Sequence, residues 1–253
     1  MTPKILTHNN AMRTLAGKSA IVTGGSRGIG RAICNALAAE GARVVVNYSR
    51  SEKEAEALAV RIGGLAFQAD VTDTAQVRSL FDAAARAFQS IDILVSNAGV
   101  GLFKPVAEID DEEYDRTFAV NARGAFLCCR EAARRMRDGG RIVSVSSGAT
   151  VGGSPGGAVY CGSKATIEQL TRALASELGA RQITVNTVSP GFTDTEMFAG
   201  LPQPVISTAA ARTPLGRVGR PEDVASVVAW LCTGAAGWIT GQNIQAGGGL
   251  NMA

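Results

Sequence analysis

The chain has 253 residues, of which 46% are apolar, and a formal net charge of +3. This length and apolar content are enough for one large core, so a single domain is expected. The small charge argues against nucleic acid as a partner, and no apolar stretch is long enough to predict a membrane-spanning segment.

The five cysteines form no CxxC pair and show no metal-ligand spacing with the single histidine, His8. This usage is typical of a reduced, metal-free cytoplasmic protein. Residues 1–16 contain no apolar stretch of signal-peptide length and are predicted to form a flexible N-terminal leader. The folded domain is therefore expected to span residues 17–253.

From Lys18 onward, short apolar segments alternate with amphipathic ones, which is typical of βαβ units. The pattern predicts an α/β fold: a single-domain Rossmann-type, doubly wound parallel sheet of about seven strands with helices on both faces. Strands are predicted over 19–23, 43–47, 65–69, 91–96, 141–146, 183–188 and 243–246. Helices are predicted over 28–40, 51–62, 74–89, 111–137, 158–179 and 221–233, and the stretch 190–220 is expected to be irregular.

The segment TGGSRGIG, residues 23–30, lies between the first predicted strand and the first predicted helix. Its glycines fall where a dinucleotide-binding turn needs no Cβ, and the N–H groups that open the helix can hold phosphate oxygens. An ordinary tight turn is the alternative. The residues predicted to bind a dinucleotide here are Gly24, Ser26, Arg27, Gly28, Ile29 and Gly30.

The end of the second strand bears on the choice of dinucleotide. An acidic residue there would bind the ribose hydroxyls of NAD, whereas a cation accommodates the additional phosphate of NADP. Asn47 and Tyr48 occupy this position, with Ser49 and Arg50 following and Arg27 inside the glycine turn. NADP(H) is therefore favoured and NAD(H) stays possible, because Arg50 could equally be a solvated surface residue.

Small or polar residues follow each of six successive strands, and the carboxyl ends of such strands meet at one edge of the sheet. After the third strand, Asp70 is a candidate for the adenine edge, with Val71 beside it, although Asp70 could instead stabilise a turn. Together these strand ends predict a polar cleft.

Tyr160 and Lys164 are spaced four residues apart at the start of a helix, so both side chains are expected on one face. An ammonium group beside the phenol is predicted to lower its pKa, which would let Tyr160 exchange a proton with a carbonyl or alcohol oxygen near neutral pH. A packed tyrosine with a surface lysine is the alternative.

Two further residues support a reaction at Tyr160. Ser147 follows the fifth strand, and its hydroxyl could donate to the reacting oxygen; strand alternation should point Ser146 elsewhere. Asn121 is a polar residue in an apolar helical segment, where a local kink could admit a water near Lys164. A solvent-facing Asn121 is the alternative.

The combination of TGGSRGIG, SNAG (96–99), NARG (121–124), YCGSK (160–164) and SPGFTDT (189–195) resembles the short-chain dehydrogenase/reductase family over nearly the whole chain. The resemblance implies an oxidoreductase with the catalytic residues Asn121, Ser147, Tyr160 and Lys164, of which Lys164 also holds the nicotinamide ribose. It further implies cofactor contacts from Asn97, Ala98, Gly99, Tyr160, Lys164, Pro190, Gly191, Thr193 and Thr195.

Within the family, the chain resembles 3-oxoacyl acyl-carrier-protein reductases and related ketoreductases. Arg181 matches a basic residue that such reductases use near the carrier protein, or is a solvated charge. The resemblance implies a small-molecule carbonyl or 3-oxoacyl substrate, possibly carried on that protein, and a homotetramer. Reduction of a ketone with NADPH is favoured over an NAD-dependent dehydrogenase for an alcohol, sugar or steroid, and over a non-catalytic nucleotide-binding regulator.

Overall fold

A computed structural model describes residues 13–252 of the protein. Seven parallel strands form one sheet in the order β3-β2-β1-β4-β5-β6-β7. This confirms the predicted Rossmann-type fold. The strands are β1 (Ser19–Val22), β2 (Arg43–Tyr48), β3 (Leu65–Gln68), β4 (Ile93–Ser96), β5 (Arg141–Val145), β6 (Thr184–Pro190) and β7 (Asn243–Ala246).

Ten α-helices connect or follow these strands within the described residues. The six predicted helical segments account for most of them, and the two four-residue helices lie in the loops that follow β5 and β6. They are α1 (Gly28–Ala39), α2 (Glu52–Ile62), α3 (Thr74–Phe88), α4 (Asp111–Phe118), α5 (Gly124–Arg135), α6 (Ala149–Gly152), α7 (Ala158–Leu178), α8 (Glu196–Ala199), α9 (Gln203–Arg212) and α10 (Pro221–Leu231).

The sheet separates two apolar layers. Because side chains alternate along a strand, Val22 of β1 packs with α1, α2 and α10, while Ile21 packs with α3, α5 and α7. The chain order reverses direction between β1 and β4, which places the switch point of the sheet directly at the glycine turn.

The structure corrects two of the predicted elements. The stretch 190–220 is not irregular, since it contains α8 and α9. The predicted helix 111–137 is interrupted by a π-helical turn, Ala119–Arg123, and ends at Arg135. A π turn of this kind is a bulge in an otherwise α-helical segment and is frequent at functional sites.

The predicted leader is also shorter than expected. Leu15 is only 2% exposed and joins the core, and its N–H donates to the Glu40 carbonyl at 2.9 Å. The folded domain thus includes residues 13–16, because an apolar side chain there fills the space beside the end of α1. The remainder of the predicted leader, with His8, lies outside the described residues.

Candidate active site

The glycine turn between β1 and α1 is shaped by close backbone contacts. Gly24 and Gly28 have φ values of +61° and +52°, which favour glycine. A Cβ on Gly30 would lie 2.2 Å from the Gly24 carbonyl oxygen, so only glycine fits. Helix α1 begins without a capping side chain or an acidic residue in its first turn, which leaves its N–H groups available to phosphate.

Two asparagines hold this turn from the neighbouring strands. Asn47 on β2 accepts a hydrogen bond from the Gly24 N–H at 3.3 Å, and its amide donates to the Ala69 carbonyl at 3.0 Å. Asn97, after β4, donates to the Gly24 carbonyl at 3.1 Å. The predicted contact residue Asn97 therefore also fixes the shape of the turn, and Asn47 is a supporting residue that the sequence alone did not identify.

The far side of the turn carries the cations that bear on cofactor choice. Arg27 and Arg50 are both exposed and line the same cleft as Tyr48 and Asp70. Arg27 forms an ion pair with Glu196 of α8, whereas Arg50 has no ion-pair partner among residues 13–252. An unpaired guanidinium at this strand end suits a phosphate group on the ribose.

Asp70 and Tyr48 each have a partner of their own. One carboxylate oxygen of Asp70 accepts from the Thr72 N–H at 2.9 Å and from the Thr72 hydroxyl at 2.8 Å. This is the turn-stabilising role that the sequence left open, and Asp70 still borders the cleft. The Tyr48 hydroxyl donates to Glu52 at 3.2 Å.

Helix α7 brings Tyr160 and Lys164 to the opposite end of the cleft. Both are buried, with exposed fractions of 5% and 3%. The Lys164 ammonium donates to the Val145 carbonyl at the end of β5, at 2.9 Å. The Tyr160 ring packs against Phe103, with 5.0 Å between ring centroids. The spacing thus places both side chains on the cleft side of the helix, as predicted.

The predicted direction of the Tyr160 pKa shift is wrong for the protein alone. Burial is the largest influence and raises the pKa of the phenol, while the Ser147 hydroxyl lowers it only in part. Burial also lowers the pKa of Lys164 to about 8. Desolvation is therefore the main cause of both shifts. A phenol that keeps its proton is suited to act as an acid.

Asn121 lies in the π turn, behind the cleft rather than on its surface. It is 0% exposed. Its side-chain oxygen accepts from the Val100 N–H at 2.8 Å, and its amide donates to the Ser163 hydroxyl at 3.0 Å. A Cβ on Gly99 would lie 3.0 Å from the Lys164 ammonium and 3.2 Å from the Asn121 oxygen, so the two groups approach the same point.

The two serines after β5 point in different directions, as predicted. The Ser146 hydroxyl turns toward α7, where it contacts Glu168 at 2.8 Å. The Ser147 hydroxyl accepts from the Ala149 N–H at 3.2 Å and borders the cleft. That N–H leaves the Ser147 hydroxyl hydrogen free to donate, and a hydrogen bond between Ser147 and Tyr160 lowers the pKa of the phenol.

These groups border one continuous cleft of about 1170 Å³. This volume is large enough for a dinucleotide together with a small organic substrate. Apart from Asn121, every residue predicted for the site borders it: Gly24, Ser26, Arg27, Gly28, Ile29, Gly30, Tyr48, Ser49, Arg50, Asp70, Val71, Asn97, Ala98, Gly99, Ser147, Tyr160, Lys164, Pro190, Gly191, Thr193 and Thr195.

The substrate end of the cleft is mainly apolar. Phe103 closes one side, and the α8 region supplies Phe192, Met197, Phe198 and Leu201 on the other. The ring centroids of Phe192 and Phe198 are 5.9 Å apart. Phe103 packs against Tyr160 at this end of the cleft, and an apolar lining of this kind suits a hydrophobic ligand.

Some residues around the cleft were not singled out individually from the sequence. The Asn251 amide donates to the Gly148 carbonyl at 2.7 Å, and Arg212 lies 5.2 Å from the Phe192 ring centroid. Glu196 and Lys104 also border the cleft. Nothing in the local sequence marks them, because helices α8 and α9 and the C-terminal segment reach the site only through tertiary packing.

Arg181 has a structural role that neither sequence reading included. Its guanidinium donates to Asp138 at 2.8 Å, to the Ala133 carbonyl at 2.5 Å and to the Met136 carbonyl. It therefore satisfies free carbonyls at the end of α5 and pairs with an acid, as basic groups do at helix C-termini. Such a guanidinium has little capacity left for a carrier protein.

Comparisons with known proteins agree with this geometry. Residues 24–251 match the family model described as "Enoyl-(Acyl carrier protein) reductase". The chain is 43% identical to the hydroxynaphthalene reductase-like protein Arp2 of Metarhizium brunneum, over 94% of this chain and 96% of that protein. The chain belongs to the short-chain dehydrogenase/reductase family, and is thus related to oxidoreductases over its whole folded length.

Two solved structures extend the comparison to cofactor complexes. The angucycline C-6 ketoreductase LanV with bound NADP has a TM-score of 0.88 and 40% identity, covering 94% of this chain and 96% of that one. A short-chain dehydrogenase from Burkholderia cenocepacia in complex with NADP has a TM-score of 0.90 and 39% identity, covering 94% of this chain and 100% of that one.

Within residues 13–252, no helix has both the length and the apolar character needed to cross a membrane. The same part of the chain contains no group of three or more His, Cys, Asp or Glu side chains arranged to hold a metal ion.

Proposed function

We propose that the protein is an NADP(H)-dependent reductase of a hydrophobic ketone, with Tyr160 as the proton donor. The observation that carries the proposal is the position of Tyr160 at the apolar end of a cleft whose other end has the shape and charge for a phosphorylated dinucleotide. NADP is the cofactor in the two related structures, which supports NADP(H) over NAD(H).

The residues of the glycine turn fit a dinucleotide. The pyrophosphate would lie against the N–H groups at the start of α1, in a turn whose close packing leaves no room for a Cβ on Gly30. Arg50 would bind the 2′-phosphate, and Arg27 would join it by leaving Glu196. A reduced nicotinamide bound in this cleft would supply hydride to the carbonyl carbon.

The protein's own residues then handle the proton. Tyr160 keeps its proton at neutral pH because burial raises its pKa, so the phenol can donate to the oxygen of the ketone as negative charge develops there. The Ser147 hydroxyl donates a second hydrogen bond to that oxygen. The Lys164 ammonium, with a pKa lowered to about 8, supplies positive charge on the cofactor side at neutral pH.

The substrate is proposed to be a free aromatic or otherwise apolar ketone. Phe103, Phe192 and Phe198 form its walls, and the name of the Metarhizium relative indicates a hydroxylated aromatic compound for that protein. A thioester on a carrier protein is less well supported, because Arg181 is already engaged by Asp138.

The predicted homotetramer and cytoplasmic location stay proposals. Two exposed tryptophans support association. Trp230 on α10 is 43% exposed, and Trp238, which comes shortly before edge strand β7, is 100% exposed. Large exposed apolar side chains of this kind are typical of interfaces.

The test is consumption of NADPH with a panel of substrates: a hydroxylated bicyclic aromatic ketone, an aliphatic ketone, a 3-oxoacyl thioester and, with NAD⁺, a sugar alcohol. Tyr160→Phe should reduce kcat for the ketone by at least about a hundredfold, because the proton donor is lost. NADPH binding, followed by fluorescence, should be retained.

Tyr114→Phe is the matched control, since Tyr114 lies on α4 outside the cleft. Full ketone turnover by Tyr160→Phe, or activity only on the alcohol with NAD⁺, would contradict the proposal.

A further inference from the structure

The carboxylate of Glu168 links the two residues that flank Ser147. A single oxygen, Oε1, accepts two hydrogen bonds: one from the Ser146 hydroxyl at 2.8 Å and one from the Thr150 hydroxyl at 2.7 Å. Ser146 lies just after β5 and Thr150 lies in α6, so the turn that carries Ser147 is attached at both ends to a single side chain.

Glu168 is placed on the helix that carries the other reacting groups. It follows Lys164 by four residues on α7, which puts both side chains on the same side of the helix. The carboxylate is thus a direct connection between the Ser147 turn and the helix of Tyr160 and Lys164. No other side chain within residues 13–252 makes hydrogen bonds to both Ser146 and Thr150.

Each of the two hydroxyls has two acceptors within reach, and the presence of Glu168 decides which one receives its hydrogen. A hydroxyl has one hydrogen to donate. Thr150 could donate instead to the Ser147 carbonyl at 2.8 Å, and Ser146 could donate to the Lys164 carbonyl at 3.2 Å. A carboxylate is the stronger acceptor because the hydrogen bond is charge-assisted. Without Glu168, both hydroxyls would turn to these carbonyls. Ser146 would then keep only its 3.2 Å bond to the Lys164 carbonyl of α7, and Thr150 would lose its bond to that helix.

We propose that Glu168 is a positioning residue, which fixes the Ser147 turn against α7 and so sets the separation of the Ser147 and Tyr160 hydroxyls. The inference rests on the proposed reduction, in which both hydroxyls must reach the same ketone oxygen. Glu168 does not border the cleft and does not touch a ligand there.

The first experiment separates positioning from binding. Glu168→Ala should lower kcat for the ketone by about ten- to a hundredfold, because a shift of about 1 Å in a reacting group has effects of this size. The dissociation constant of NADPH should change less than about twofold, since the glycine turn is not involved. Glu168→Gln keeps an acceptor oxygen for both hydroxyls and should recover kcat to within about threefold of the wild type.

Glu177→Ala is the matched control, because Glu177 lies exposed on the same helix. It should leave kcat unchanged, and the far-UV circular dichroism of all variants should match the wild type. Equal loss of kcat in Glu168→Ala and Glu177→Ala, or no recovery in Glu168→Gln, would overturn the inference.

The second experiment asks whether Glu168 acts through Ser147. In a Ser147→Ala background the additional Glu168→Ala change should lower kcat by less than about twofold, because the group being positioned is already absent. Losses that multiply in the double variant would show that Glu168 acts elsewhere and would overturn the inference.

A third measurement is independent of turnover. Crystal structures of the wild type and of Glu168→Ala should show an increase of about 1 Å or more in the distance between the Ser147 and Tyr160 hydroxyl oxygens, the size of shift that matters for reactivity. An unchanged distance would overturn the inference. If the wild type reduces no ketone while this distance does increase, the proposed function fails and the role of Glu168 in holding the turn stands.

Discussion

At the scale of single residues, Lys164 illustrates a conflict between stability and chemistry. Its ammonium is buried, and desolvation lowers its pKa from 10.5 to about 8. Below pH 8 the folded protein therefore holds a charge that costs about 3 kcal/mol, from about 1.4 kcal/mol per pKa unit.

Lys164→Met should consequently stabilise the protein by about 1–2 kcal/mol at pH 7, as measured by urea unfolding, while it abolishes ketone reduction. The sign follows from proton linkage. Between pH 8 and 10.5 the unfolded chain binds more protons at this position than the folded one, so the stability of the wild type rises with pH there. The advantage of the variant should therefore shrink above pH 8.

Lys53→Met is the control for the loss of a lysine, because Lys53 is exposed on α2. Its stability should stay within about 0.5 kcal/mol of the wild type. A destabilised Lys164→Met protein at pH 7 would show that the ammonium contributes more through its contacts than burial takes away.

Single residues also show which parts of the site the sequence could predict. Most side chains that border the cleft were predicted because they lie in short motifs next to strand ends. The direction of the Tyr160 pKa shift was not, because it depends on how deeply α7 buries the phenol. The supporting hydrogen bonds of Glu168 and Asn47 were not predicted, because their partners lie 18 to 23 residues away along the chain.

At the scale of elements, the sequence predicted the strands and helices that have a regular apolar pattern and did not predict the short helices. All seven strands and the six predicted helical segments are present, since each has an apolar face of clear period. Helices α8 and α9 were missed because α8 is only four residues long and α9 has one buried residue, Ala209. The kink predicted at Asn121 corresponds to the π turn, where a buried amide takes partners outside the helix.

The turn between β1 and α1 provides a test at this scale. Gly30→Ala should weaken NADPH binding at least about tenfold and destabilise the fold by about 1–3 kcal/mol, because its Cβ would lie 2.2 Å from the Gly24 carbonyl oxygen. Neither atom can move easily, since Asn97 also holds the Gly24 carbonyl at 3.1 Å. Isothermal titration with NADPH and urea unfolding measure the two effects.

Gly179→Ala is the matched substitution. Gly179 has a helical φ of −58°, and a Cβ there would meet nothing within 4 Å. It should bind NADPH like the wild type. Equal behaviour of the two variants would mean that the Gly24 carbonyl does not constrain the turn.

At the scale of the whole molecule, the order of the strands determines where ligands can bind. The sequence predicted a parallel sheet, and the family resemblance supported one domain, but the order β3-β2-β1-β4-β5-β6-β7 came from the structure. Its reversal between β1 and β4 brings the glycine turn, the β2 end and the β5 end to one edge. The cleft is thus a property of the complete sheet, and ligand binding should stabilise the entire fold.

This coupling gives a measurable cofactor preference. A ligand at a hundred times its dissociation constant stabilises the folded state by about 2.7 kcal/mol. For a domain of this size that corresponds to an increase in Tm of about 5–10 °C. At equal concentrations NADPH should raise Tm more than NADH, because only NADPH carries the phosphate that Arg50 can bind. Arg50→Gln should remove most of this difference and leave the effect of NADH unchanged.

Arg172→Gln controls for the change in net charge, because Arg172 is an exposed arginine on α7. A larger effect of NADH in the wild type would contradict the preference for NADP(H) and the role assigned to Arg50.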